Sequence, residues 1–173
     1  MCKFRHIFDF DDTLVTIENA SIIAIDKETK EKFVFSTHQW TTHKVDQDKY
    51  DYDWSQFSRL ALNYKPITST LKLLKDVYKA YTAAAITILT SRGCPVGPQE
   101  FLKIFGMNDV NVVALGEKAN NVDGKALWIK QEIIDNNLSY VSFYDDNISY
   151  INEVKKLQQE FPNVIFNIQH VTS

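Results

Sequence analysis

Cysteine is scarce in this chain of 173 residues. Cys2 and Cys94 are its only two; neither stands in a metal-type pair, and two thiols make no disulfide framework. A reducing, cytoplasmic setting is the simplest expectation. Long apolar runs are lacking as well. The opening MCKFRHIFDFDD is too charged for a signal peptide, and the longest apolar stretch, around residues 83–89, falls far short of a membrane span. Nor is there a basic surplus: 19 Lys and Arg against 22 Asp and Glu leave a net charge of −3. A non-specific nucleic-acid binder would present a basic face, and composition gives no support for one. No GxxxxGK followed by Ser or Thr occurs, and GCPVGPQE at 93–100 does not fit it, which excludes a P-loop kinase. The sequence shows no repeats and no low-complexity segment, and nothing in it points to a membrane or to a protein partner.

What is present suits a single domain over residues 1–173, with 45% hydrophobic residues to build a core. Residues 4–10 read as a short strand ending in acid. Residues 22–26 and 32–36 are β-rich runs separated by polar KETKE, a hairpin without a strong turn signal. Residues 38–57 are polar and aromatic without a clear period, and read as irregular with one helical turn. Pro66 precedes a helix that Thr68 or Ser69 can cap and that carries Leu71, Leu74, Val77 and Tyr78 on one face. Further strands are expected at 84–89, 110–115, 140–144 and 164–168. Helices are expected at 98–105, at 124–134 and from Asn147, a good N-cap, to near Pro162. From residue 84 onward strands and helices alternate, which calls for an α/β fold with a parallel sheet. Ligands of such sheets bind beyond the carboxyl ends of the strands, and right-handed crossovers bring those ends to one edge.

Three of those strand ends carry residues fit for chemistry. In Asp9-Phe10-Asp11 two carboxylates at i and i+2 can enter one cleft. One can attack phosphorus as a nucleophile, and the other can shuttle the proton of the leaving oxygen. Taken alone, the motif is equally a solvated acidic turn. Asp145 and Asp146 are adjacent acids that repel unless a cation lies between them, although they could simply favour the dipole of the next helix. Mg²⁺ takes oxygen ligands of this kind together with phosphate oxygens. The hydroxyls of Thr90 and Ser91, with the following backbone N–H groups, can hold phosphoryl oxygens, or belong to an ordinary loop. Lys125 opens a helix, a poor place for a cation unless an anion is near; alone it reads as a surface lysine.

The ordered set is more specific than its members. IFDFDDTLV, ITILTSRG, the lysine of DGKALWIK, and VSFYDDN resemble the four motifs of the haloacid dehalogenase-like superfamily, over about residues 5–168. The wording also resembles small phage-type phosphatases and the phosphatase half of polynucleotide kinase-phosphatases. The resemblance implies a three-layer Rossmann-like sheet of order 5-4-1-2-3, with Asp9 as nucleophile and Asp11 as general acid/base. It implies Thr90 and Lys125 on the phosphoryl group. It also implies Mg²⁺ held by the Asp9 side chain, the Asp11 backbone carbonyl and Asp146, with Asp145 orienting the lysine. Many relatives carry a further acid or Asn four positions after the metal acid; here that position is Tyr150, so Asn147 or water is left to complete the shell.

An acid two residues past the nucleophile separates phosphatases from dehalogenase-type and pump-type relatives, so Asp11 points to a phosphomonoesterase. A phosphotransferase, or a non-catalytic binding module that kept the fold, is the alternative. About seventy residues separate the first two motifs, room for a small hairpin-containing cap at about 16–65 but not for a large cap domain. An open site would suit nucleotides or polynucleotide ends. Tyr50, Tyr52, Trp54 and Phe57 could stack on bases, although aromatic clusters more often pack an insert onto its core.

Overall fold

The structure, a computed structural model, describes residues 3–18, 20–40, 43, 45–119 and 121–172. Cys2 lies outside them, and Cys94 is unpaired. In chain order the strands and helices are β1 (Phe4–Phe8), β2 (Val15–Ile17), β3 (Ser21–Asp26), β4 (Lys32–Ser36), α1 (Thr37–Trp40), β5 (Tyr50–Asp53), β6 (Tyr64–Pro66), α2 (Thr68–Tyr81), β7 (Ile86–Thr90), α3 (Val96–Ile104), β8 (Asn111–Ala114), α4 (Gly124–Asn136), β9 (Tyr140–Asp145), α5 (Ile148–Glu160) and β10 (Ile165–His170).

Five of these strands form one parallel sheet in the order β10-β9-β1-β7-β8. Its central strands β1, β7 and β9 are short and mostly buried, as strands covered by helices on both faces must be. The two-residue period sorts their side chains. Phe8, Ile88 and Tyr144 face one core with Leu71, Leu74 and Val77 of α2 and Phe101 of α3. Ile7, Leu89 and Phe143 face the other, with Ile129 and Ile133 of α4 and Ile151, Val154 and Leu157 of α5. Each such fully buried side chain contributes about 1.5–3 kcal/mol. Together they make a rigid platform that can tolerate costly groups at its rim.

Register sets that rim. Phe8 pairs with Ile88 on one side and Tyr144 on the other, so β1, β7 and β9 end level with one another. The N–H of Asp9 donates to the Tyr144 carbonyl at 2.9 Å and carries the alignment one residue further. Helix termini follow local chemistry in two cases. Asn147 caps α5 through its Oδ1, which accepts from Ser149 N at 2.9 Å, and Asn137 closes α4 in the left-handed region at φ 48°. The start of α2 differs from the expectation on Thr68 or Ser69. Its N-cap position is Ile67 and has no side-chain cap. The turn is instead anchored through the backbone, by Ile67 N to Leu14 O at 2.9 Å.

The segment between β1 and α2 forms two antiparallel sheets. β2 pairs with β6, Val15 opposite Pro66, which draws the two ends of the insert together. Within it β4, β3 and β5 form a three-stranded sheet. The β3–β4 turn lacks Asn-Gly but is built by Asp26, whose Oδ1 accepts from the N–H groups of Glu28 and Thr29, both at 2.9 Å. Residues 38–57 are more regular than their sequence suggests: they hold the end of α1, strand β5 and a short 3₁₀ turn at Ser55–Phe57. Residues 41, 42 and 44 of this stretch lie outside the described set. Ala20, Ile22 and Phe57, with Trp40 and Tyr52 against them, form the insert's own small core.

Candidate active site

At the level ends of β1, β7 and β9 the chain places all seven residues singled out from the sequence, Asp9, Asp11, Thr90, Ser91, Lys125, Asp145 and Asp146, along one cavity of about 1110 Å³. Asp9 and Asp11 reach it together because Phe10 between them points the other way, fully buried edge-on to Phe101 with ring centroids 5.5 Å apart. The chain then turns sharply. Asp12 takes φ 55°, and its N–H donates to Val15 O at 2.7 Å. Asp9 is 5% exposed.

Lys125, 1% exposed, is the hub of the site. Its Nζ donates to Asp9 Oδ1 at 2.5 Å and to Asp145 Oδ2 at 2.7 Å. It also sits 4.6 Å from the centre of the Tyr150 ring. The preceding glycine makes this placement possible. A Cβ on Gly124 would meet the Lys118 carbonyl oxygen at 2.1 Å, so only glycine lets α4 start this close to the 3₁₀ turn at Gly116–Ala119. Asp145 has both oxygens engaged, Oδ2 by Lys125 and Oδ1 by Asn147 N at 2.8 Å, and so holds the lysine in place. Asp146 is fixed by Thr13, which accepts from Asp146 N at 3.1 Å and donates to its Oδ1 at 3.3 Å.

Asp9, Asp145 and Asp146 each offer an oxygen, all within 4.8 Å of one another, a donor set that fits a hard cation. Electrostatics point the same way. Burial pulls the Lys125 ammonium down, but Asp145 and Asp9 more than reverse this and hold it well above its ordinary value. With a single ammonium between them among the described residues, the carboxylates remain crowded. Burial, then Asp145 and Asp146, raise Asp9 well above the carboxylate range against the pull of Lys125. Burial, then Asp145 and Asp12, push Asp146 up to about 7. A cation of higher charge would relieve that excess.

Thr90 is buried, and its Oγ1 accepts from Arg92 N at 3.2 Å. Ser91 is exposed and shares a hydrogen bond of 3.2 Å with the Tyr150 hydroxyl, which also donates to Ala119 O. Tyr150 thus fills the position where an acid was noted as missing by lying against Lys125 and tying β7's loop to the turn before α4. Asn147 Oδ1 is committed to its helix cap.

Sequence reasoning passed over Arg92 as a site residue. Its guanidinium forks onto Asp11, Nε to Oδ2 at 2.8 Å and Nη2 to Oδ1 at 2.7 Å. Its Nη1 donates to the carbonyls of Phe57 at 2.9 Å and Arg59 at 3.1 Å. One buried side chain therefore joins the proton-shuttle candidate to the insert's backbone. Gly97 makes room for it: a Cβ there would lie 2.6 Å from Arg92 Nη1 and 2.8 Å from the Arg59 carbonyl carbon. The signal available in the sequence was the arginine of TSRG, which nothing local distinguishes from a surface residue. Thr13 was likewise visible only as part of FDFDDTLV.

Compared with known proteins, the chain matches no family model, no curated protein and no solved structure. Among the described residues no helix is long and apolar enough to cross a membrane.

Proposed function

We propose that this chain is a phosphomonoester hydrolase that works through an aspartyl-phosphate on Asp9, with Mg²⁺ as its cofactor. On this reading it is a haloacid dehalogenase-like phosphatase. Counted in chain order, its parallel strands run 5-4-1-2-3, the Rossmann-like order of that superfamily, and residues 16–65 are its small cap. The observation that carries the reading is the buried Lys125, paired at once to Asp9 and Asp145 where the strands end. Burying such a cluster costs several kcal/mol per ion unless fully compensated, and here the carboxylates outnumber the ammonium. Stability gives no reason to keep it; phosphoryl chemistry does.

The reaction runs in two displacements at phosphorus. An Asp9 oxygen attacks phosphorus, forming a P–O bond to the enzyme while the bond to the leaving oxygen breaks. Asp11, protonated at the start of the cycle, gives its proton to that oxygen and becomes the carboxylate. A water then attacks the phosphorus, gives its proton to Asp11, and releases inorganic phosphate with Asp9 restored. The Thr90 hydroxyl and the Lys125 ammonium hold the phosphoryl oxygens, with Ser91 at the mouth of the loop. Asp9, the Asp11 backbone carbonyl and Asp146 would hold Mg²⁺, which when bound neutralises charge on the phosphoryl group.

The direct test is a panel of phosphomonoesters assayed with Mg²⁺ and with a chelator. Turnover that chelation abolishes is expected. Asp146→Ala is expected to lose the Mg²⁺-induced thermal shift and about 100-fold or more of the activity. A thermal shift with Mg²⁺ but no turnover of any ester would instead favour a binding module.

Arg92 adds a second expectation. Its fork sets where the Asp11 carboxyl sits, and one oxygen leaves the fork to carry the proton. Arg92→Lys keeps the charge but loses the fork, and should lower kcat by about 10–100-fold with little change in KM. A kcat within twofold of wild type in steady-state assays would show that the fork is not needed.

A further inference from the structure

The cavity is far larger than a phosphoryl group needs. Its floor is the acid cluster, but its outer wall comes from the insert, where Trp40, Tyr52, Trp54 and Phe57 line it. Most of this aromatic set is spent on packing. Phe57 is buried in the insert's core. The Tyr52 hydroxyl is held by His43 at 3.2 Å and by Asp46 N at 3.0 Å. Tyr50 does not line the cavity at all.

Trp54 is different. It meets Trp40 edge to face, 4.6 Å between centroids at 87°, yet stays 42% exposed. An edge-to-face contact covers at most one face of one ring, so Trp54, held by Trp40 and edge-on to Phe57 at 6.4 Å, keeps apolar surface open in the same cavity as the nucleophile. Rigid aromatic surface of this kind binds planar rings by stacking. The wall is also joined to the chemistry. The Phe57 and Arg59 carbonyls that follow Trp54 in sequence hold Arg92, and Arg92 holds Asp11.

We infer that the preferred substrate is a monophosphate ester whose alcohol carries a planar aromatic ring, as a nucleoside monophosphate does, and that Trp54 is the residue that selects it. This rests on the phosphatase reading of the same site.

The test compares esters with the same class of leaving alkoxide, primary or secondary, with and without the aromatic ring. The full-length chain with Mg²⁺ is assayed on a nucleoside 5′-monophosphate against ribose 5-phosphate, and on the 3′-monophosphate against glycerol 2-phosphate. In at least one pair the nucleotide should lead in kcat/KM by about tenfold or more. Trp54→Ala should remove that lead while leaving the ring-free ester within about twofold of wild type, and Trp54→Phe should restore it. Equal kcat/KM within both pairs, or a Trp54→Ala loss shared by both members, would overturn the inference and leave the phosphatase reading standing. Inactivity of the wild type on every phosphomonoester would overturn both.

Discussion

Asp9→Asn should abolish turnover of any phosphomonoester, by about four orders of magnitude or more, with the fold intact. An amide keeps the shape of the carboxylate but is no nucleophile toward phosphorus. What distinguishes this expectation from ordinary damage is its stability arm. Asp9 is buried among two other carboxylates, and burial with those neighbours raises its pKa despite Lys125. Lys125 still has Asp145, at 2.7 Å, when Asp9 is neutral. The variant should therefore unfold at the same temperature as wild type or higher, as expected where a site is kept for function at the expense of stability. Steady-state assays and thermal unfolding of the one protein read both arms. A variant that is inactive because it is unfolded would not support the assignment.

Lys125→Met should have the largest effect on stability. Removing the ammonium leaves Asp9 and Asp145 buried without their cation, which costs about 3–5 kcal/mol. For a domain of this size that is a fall on the order of 10 °C in Tm. Activity should be lost as well, since the phosphoryl group loses its cation. A second change separates the two losses. Adding Asp145→Asn to Lys125→Met removes one stranded charge, so the double variant should regain part of the lost stability and none of the activity. Urea unfolding of the two single variants and the double variant gives the coupling directly. Strict additivity would mean that Lys125 and Asp145 are not the pair the 2.7 Å contact describes.

The core sheet is legible in the sequence because its strands are short apolar runs with acids or hydroxyls at their ends. Expected strands at 84–89 and 140–144 lie within two residues of Ile86–Thr90 and Tyr140–Asp145. The carboxylates are legible for a related reason: charged residues set against apolar runs stand out, and α/β topology sends strand ends to one edge. Lys125, which alone reads as a surface lysine, is legible only as a member of the ordered motif set. The insert is much less so. Tyr50–Asp53, YDYD, has too little apolar character to read as a strand, and it becomes one by pairing with β3. Arg92 is the sharpest case. Its partners Asp11, Phe57 and Arg59 lie 33 to 81 positions away, so its burial is a property of the fold and leaves no local mark. Tyr150, noted in sequence only for the acid it replaces, packs against Lys125, a contact no spacing rule anticipates.

The central claim is a covalent phosphoryl group on Asp9, and trapping it is the most direct measurement. Enzyme in excess over a phosphomonoester is mixed with Mg²⁺, quenched in acid during the first turnover, and reduced with borohydride, which converts an acyl phosphate to the alcohol. Peptide mass analysis should find homoserine in place of Asp9 in wild type, more of it in Asp11→Asn, where breakdown is slowed, and none in Asp9→Asn. Phosphoryl transfer to any other residue, or rapid phosphate release with Asp9 unmodified throughout, would contradict the assignment.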